Sequence, residues 1–194
     1  KRGLAVQFLK ELYHYLPINE QEISDKKAMS LMIEKFPDTI LLRDNTIAHI
    51  AVSGFIVNQT YDKTLMIHHN IYQSWGWTGG HADGDSNLLQ VAIKEAKEET
   101  GISQAAPLTN SLAGIDILPV FSHMKQGKFV NTHLHLCFSY LLIADESETL
   151  QYKPDENSGV KWLPFSQISN YCSEAHMIPV YEKLIQKVKY YANK

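Results

Sequence analysis

The chain has 194 residues, 44% of them hydrophobic and 20% charged, with a formal net charge of −3. That size and balance describe an ordinary soluble globular chain with a substantial core, as one domain or one domain with an extension. A slightly acidic balance without a basic patch or a basic–aromatic ladder excludes a nucleic-acid surface, and no apolar run reaches the ~18 residues that a membrane span needs. Residues 1–16 carry charges throughout, unlike a secretory signal, and Lys1 in place of an initiator methionine points to a processed or trimmed start. Cys137 and Cys172 are the only cysteines, far apart and in apolar surroundings, which suits reduced thiols in a cytoplasmic protein.

In chain order, residues 3–16 place Leu4, Phe8, Leu9, Leu12, Tyr13 and Leu16 at helical spacing, and Pro17 ends the run. Asn19-Glu20-Gln21-Glu22 has the form of a capping box that opens a second helix, with Ile23, Leu31, Met32 and Phe36 apolar and Pro37 closing it. These two helices form an N-terminal extension over residues 1–45, and the main domain runs from 46 to 194. Its strand-like segments are 47–57, 64–69, 112–120, 129–143 and 160–163. Helices are expected over 166–171 and 180–192. Strands interrupted by helices predict an α/β/α layered domain, an α/β (α+β) chain with a sheet covered on both faces.

The most informative stretch is residues 79–102, a glycine-rich loop running into a short helix. Asp85 or Ser86 is expected to cap that helix, Leu89, Ala92, Ile93 and Ala96 to pack it, and Gly101 to end it, with Ile102 folding back. At about 100° per residue, Glu95, Glu98 and Glu99 share one face. Like charges repel at these spacings, and an anion in the last turns of a helix costs about 0.3–1 kcal/mol against the macrodipole. Lys94 and Lys97 offset only part of this. A solvated acidic face is the usual reading of such a cluster. The preceding Gly79-Gly80 loop and the terminating Gly101 favour a bound hard cation, Mg2+ or Mn2+.

Gly80, five residues, Ser86, seven residues, then Lys94-Glu95-Ala96-Lys97-Glu98-Glu99-Thr100-Gly101-Ile102 resembles the box of the Nudix hydrolase family. That box reads Gly, five residues, Glu, seven residues, Arg-Glu-apolar-any-Glu-Glu-any-Gly-apolar. The resemblance implies an α/β/α sandwich with a mixed sheet. It implies that Glu95, Glu98 and Glu99 are the catalytic residues and bind the divalent metal, with the carbonyl of Gly79 adding a ligand. The implied reaction is hydrolysis of a diphosphate linkage in a nucleoside diphosphate joined to another moiety. Ser86 departs from the family's glutamate and carries no charge. Lys94 departs from its arginine and lacks the planar fork that orients two carboxylates at once. Either change weakens metal binding or slows turnover, with Asp83 and Asp85 close by in the chain. The general base is Glu95 or Glu98 on the helix, or a later loop acid among Glu146, Glu148 and Glu156.

Trp77, Gly80, His133 and His135 are the candidate substrate contacts. Trp75-Gly76-Trp77 leads into the glycine loop, where an indole either stacks on a base or anchors the loop, and anchoring is favoured for at least one of the two. His133 and His135 fall on one face of their strand. A zinc site there needs further ligands that the neighbouring sequence does not name, so zinc is not expected. Lys125 and the Gly127-Lys128 turn are read as solvated. The competing function is a Nudix-fold module that senses a nucleotide-like ligand without hydrolysing it, motivated by Ser86 and Lys94. A fainter alternative is diphosphate isomerisation, for which Cys137 is the one tempting residue. Dimerisation through the N-terminal helices or a sheet edge is left open.

Overall fold

The computed structural model describes residues 6–125 and 127–193. The first helix, α1 (Val6–His14), turns Phe8 and Leu12 inward and leaves Leu9, Tyr13 and Leu16 exposed; Leu4 lies outside the described residues. Pro17 separates it from α2 (Glu20–Lys35). Asn19 caps α2 by accepting from the amide of Glu22 at 2.8 Å. The returning arm of the expected box is displaced: the Glu22 carboxylate accepts from the amide of Ile18 at 3.0 Å. Met29 and Ile33 are buried, whereas Ile23 and Leu31, expected on the apolar face, are exposed.

The sheet is built around β1 (Ala48–Val57), all ten residues of which are buried. β1 runs parallel to β9 (His133–Ile143), in register from Ala48 against Leu134 to Val57 against Ile143. A strand with neighbours and cover on both faces reads as a continuous apolar run, which explains its sequence. Antiparallel partners complete the mixed sheet. On one side of β1 lie β2 (Lys63–His69) and β10 (Asn157–Pro164), giving the order β10–β2–β1–β9–β5, with β5 being Ala106–Pro107. Short β3 (Trp75–Gly76) pairs with β2, β4 (Thr78–His81) with β1, and β6 (Gly114–Val120) with β9.

The long strand expected over 129–143 is broken. Lys128–Val130 belongs instead to a separate hairpin, β7 (His123–Lys125) with β8 (Lys128–Val130). The break falls where the Asn131 side chain donates Nδ2–H to the carbonyls of Thr46 and Thr132, both at 2.9 Å, and the Thr132 hydroxyl accepts from the amide of Ser122.

Helices cover both faces. Phe8, Leu12, Met29 and Ile33 of α1 and α2 pack on Ile50, Val52, Leu136 and Phe138, beside Leu88 and Val91 of α3 (Leu88–Thr100). After a 3₁₀ turn and α4 (Ile168–Tyr171), α5 (Ile178–Ala192) buries Tyr181, Leu184 and Val188 against Phe55 and Leu141. These are the expected α/β/α layers. One buried polar knot joins them. The Lys183 ammonium on α5 meets Asp116 of β6 at 2.8 Å and Glu22 of α2 at 3.0 Å, and also the Ile115 carbonyl. A charge out of water demands such partners.

Candidate active site

The loop between β4 and α3 is shaped by two consecutive left-handed residues, Asp83 and Gly84. Arg43 holds Asp83 through a two-pronged ion pair at 2.7 and 2.5 Å, the geometry that suits a planar guanidinium. That contact keeps the Asp83 carboxyl below its ordinary range. Asp85 is spent on the amide of Asn87, and Asn87 rather than Asp85 or Ser86 caps α3, accepting from Gln90. Ser86 is buried in the turn. At the other end Gly101 closes the helix in the left-handed conformation, as its position in the sequence predicts.

The register of α3 sets the carboxylates. Leu88, Val91, Ala92, Ala96, Glu99 and Thr100 form its buried face, while Leu89 and Ile93 are only partly covered. Glu99 is thus a core residue, 2% exposed, and one of its oxygens accepts from the amide of Gly79 at 2.9 Å. Burial pushes the Glu99 carboxyl up to about 8 against the pull of that single N–H, and the charges of Glu95 and Glu156 push it further. Burial, reinforced by Glu98 and Glu156, also raises Glu95 against the pull of Lys94. Gly80 is required by this closeness: a Cβ there would lie 2.6 Å from Cδ of Glu95. Glu98 is the more exposed member, flanked by Lys94 at 3.7 Å and Lys153 at 3.9 Å. Lys94 therefore meets the acidic face as a point charge.

The later acids are sorted by the fold. Glu146 is engaged by Lys63 and Asn58, and Glu148 by Ser103 and the amide of Gln104, so neither reaches the helix face. Glu156 does reach it. The loop before β10 is pinned to the end of α3 by Gln151, whose amide bonds the Thr100 carbonyl, and by Asn157, whose side chain bonds the Glu99 carbonyl. Lys153 then bridges Glu156 and Glu98. A buried carboxylate with one N–H partner, surrounded by three others, fits a divalent cation that would be held by Glu95, Glu98 and Glu99.

Successive residues of β4 point to opposite faces. Gly80 faces α3, and His81 faces away from it into a cluster with His49 and His135. His81 Nε2 lies 3.2 Å from His135 Nε2, and the His49 ring centroid is about 5 Å from those of His81, His133 and His135. Burial, helped by the neighbouring charges, depresses His81 to about 3 and His135 to about 2, and it lowers His49 as well. The cluster lines a cavity of about 320 Å3 together with Arg43, Tyr72, Lys125 and Phe129. Local spacing does not single out His49 or His81; the one signal is His49 as a histidine inside a mostly apolar strand. Trp77 is buried edge-on against Tyr181, 5.5 Å between centroids, the anchoring place expected for at least one of the two indoles.

Among known families, the NUDIX domain matches residues 48–186, which is well over half of the chain and includes the whole box. The chain belongs to the Nudix family. It is accordingly an enzyme of the Nudix pyrophosphohydrolase type. Solved structures share the Nudix fold at low sequence identity. A C. elegans Ap4A hydrolase binary complex is 18% identical, with 74% of this chain and 98% of that chain covered and a TM-score of 0.51. The E. coli dihydroneopterin triphosphate pyrophosphohydrolase is 17% identical, with 71% and 95% covered and a TM-score of 0.52. A Nudix hydrolase from M. smegmatis, RenU, is 13% identical, with 73% and 86% covered and a TM-score of 0.55. No curated protein compared with the chain matches it in sequence. Among the described residues no helix is long and apolar enough to cross a membrane.

Proposed function

We propose that the protein hydrolyses a diphosphate linkage in a nucleoside diphosphate joined to another moiety, with Mg2+ or Mn2+ bound by Glu95, Glu98 and Glu99. The observation that carries this reading is Glu99, a carboxyl buried on α3 whose one hydrogen-bond donor among the described residues is the Gly79 amide. A helix has no structural use for a carboxyl held there, and a divalent cation that displaces its proton would supply a partner for the charged form. When bound, the metal neutralises phosphate oxygens and lowers the pKa of a coordinated water. The chain's own residues do the rest. Glu99 and Glu95 are fixed from below by the sheet, and Gly80 leaves room for Glu95. Glu98 or Glu156, joined through Lys153 at the rim, would take the proton of the attacking water. Lys153, beside Glu98 and Glu156, supplies positive charge for a leaving phosphate.

Residues 46–194 form the catalytic unit in this reading and residues 1–45 its helical extension. The two free, buried cysteines suit a reducing, cytoplasmic setting.

The test is a panel of diphosphate-linked nucleotides with Mg2+ or Mn2+, run beside Glu98→Gln and Glu156→Gln. Turnover by the wild type is expected on at least one member, with loss of about 10²–10⁴-fold in whichever variant removes the base. Wild-type protein that binds metal and nucleotide but turns over no member sinks the hydrolase reading for those substrates.

A further inference from the structure

We propose that His49, His81 and His135 form a second metal site, selective for a zinc-type divalent transition ion and separate from the carboxylates of α3. Three strands supply the ligands: β1, β4 and β9. The register makes this possible, because His49 stands directly beside His135 and His81 beside Ala51. One ligand nitrogen from each ring lies within 4.8 Å of the others. The Nε2 atoms of His81 and His135, 3.2 Å apart, already have the spacing of a tetrahedral edge, since Zn–N bonds of about 2.0–2.1 Å put neighbouring nitrogens about 3.3 Å apart.

The decisive atom is Nε2 of His49. Its ring is 4% exposed, and Nδ1 donates to the Asn45 carbonyl at 2.9 Å. That bond fixes the tautomer and leaves Nε2 as a bare lone pair, and Nε2 is buried with no hydrogen-bond partner. A backbone carbonyl on one nitrogen and nothing on the other is the arrangement by which metal-binding histidines are oriented. A hydrogen bond between His81 and His135 would satisfy those two rings alone, and would still leave His49 orphaned.

Burial keeps the cluster neutral, as ligation requires. Three imidazoles without a carboxylate prefer zinc and its neighbours to magnesium. The cavity beside them leaves a fourth position open to water or to a donor atom of a bound molecule.

This inference does not rest on the hydrolase reading, because its test reads metal rather than turnover. Metal-stripped full-length protein is titrated with Zn2+ alone by calorimetry, and with Co2+ alone by visible spectroscopy. The wild type and Glu98→Gln are expected to share one tight equivalent that gives the intense bands of four-coordinate cobalt, any weaker equivalent lost in Glu98→Gln being the carboxylate site. His49→Ala and His135→Ala should weaken binding by at least about 100-fold, the upper end for loss of a mere outer-shell partner. Zinc binding that vanishes in Glu98→Gln and survives in both histidine variants would overturn the proposal, as would no binding at all. If the histidine variants do not fold, X-ray absorption on the zinc-loaded wild type decides. Three imidazoles at about 2.0 Å support the site, and an oxygen-only shell refutes it.

Discussion

An alanine at position 80 would set its Cβ 2.6 Å from Cδ and 2.9 Å from Cγ of Glu95, so the carboxyl must swing away while the strand stays paired. Gly80→Ala should therefore keep the fold, judged by circular dichroism, and lower metal-dependent turnover by about 10²-fold, the scale of a misplaced reacting group. An unchanged rate would mean that Glu95 is not needed where it stands. At this scale the sequence was legible for the residues of one helix, because a 3.6-residue period puts Glu95, Glu98 and Glu99 together without knowledge of the fold. It offered Glu156 only as one of three loop acids and did not single out His49 or His81. Those residues reach their sites through strand register and loop docking, which local spacing does not encode. Glu146 and Glu148 carried the same local signal as Glu156 and were claimed by Lys63 and Ser103 instead.

Helix α3 shows how an element can be read correctly and its buried face only in part. Its limits followed from the glycine at one end and the polar turn at the other. Its buried face followed in part: Ala92 and Ala96 are buried and Leu89 and Ile93 pack partly covered against the core, while the fold also turns Leu88, Val91 and Glu99 inward. The cap moved to Asn87 because the carboxylate of Asp85 bonds the Asn87 amide. Gly101→Ala tests the far end. The residue has φ +76°, and a Cβ there would lie 2.7 Å from Cβ and 2.8 Å from N of Gln151. Backbone strain of about 1–2 kcal/mol and overpacking of about 1–3 kcal/mol add to a loss of roughly 2–5 kcal/mol in a urea denaturation curve. A loss below 1 kcal/mol would show that the 151–157 loop yields easily. The break between β8 and β9 belongs to the same lesson: the clean alternation starts at His133, Asn131-Thr132 interrupts it after Phe129-Val130, and the side-chain bonds of Asn131 to the Thr46 and Thr132 carbonyls fix the turn there.

For the molecule as a whole, the knot around Lys183 couples pH to stability. Burial pushes the Asp116 carboxyl up to about 6 from an ordinary 3.8, against the pull of Lys183. The folded state thus binds this proton more tightly than the unfolded chain does. Its contribution is greatest below about pH 3.8, declines as pH rises toward 6 and is flat above. Asp116→Asn should remove that decline, seen as a stability difference from wild type that changes sharply between pH 4 and 6 and little from 7 to 8. Parallel profiles across the whole range would refute the assignment. Lys183→Met, by contrast, leaves Glu22 and Asp116 buried without their cation and should cost roughly 3–5 kcal/mol in the same assay.

The place of that lysine also sets where the protein can be cut. The family match begins at residue 48, yet Glu22 lies before that boundary and Phe8, Leu12, Met29 and Ile33 roof the sheet it encloses. A fragment trimmed to residues 48–186 would present bare Ile50, Val52 and Phe138 to water and hold an ammonium short of one carboxylate. Expressed alone, it should be recovered as aggregate, and supplying residues 1–45 as a separate peptide should restore a sharp melting transition. The helices ahead of the box would then be the mould in which the hydrolase sets, and not a handle attached to it.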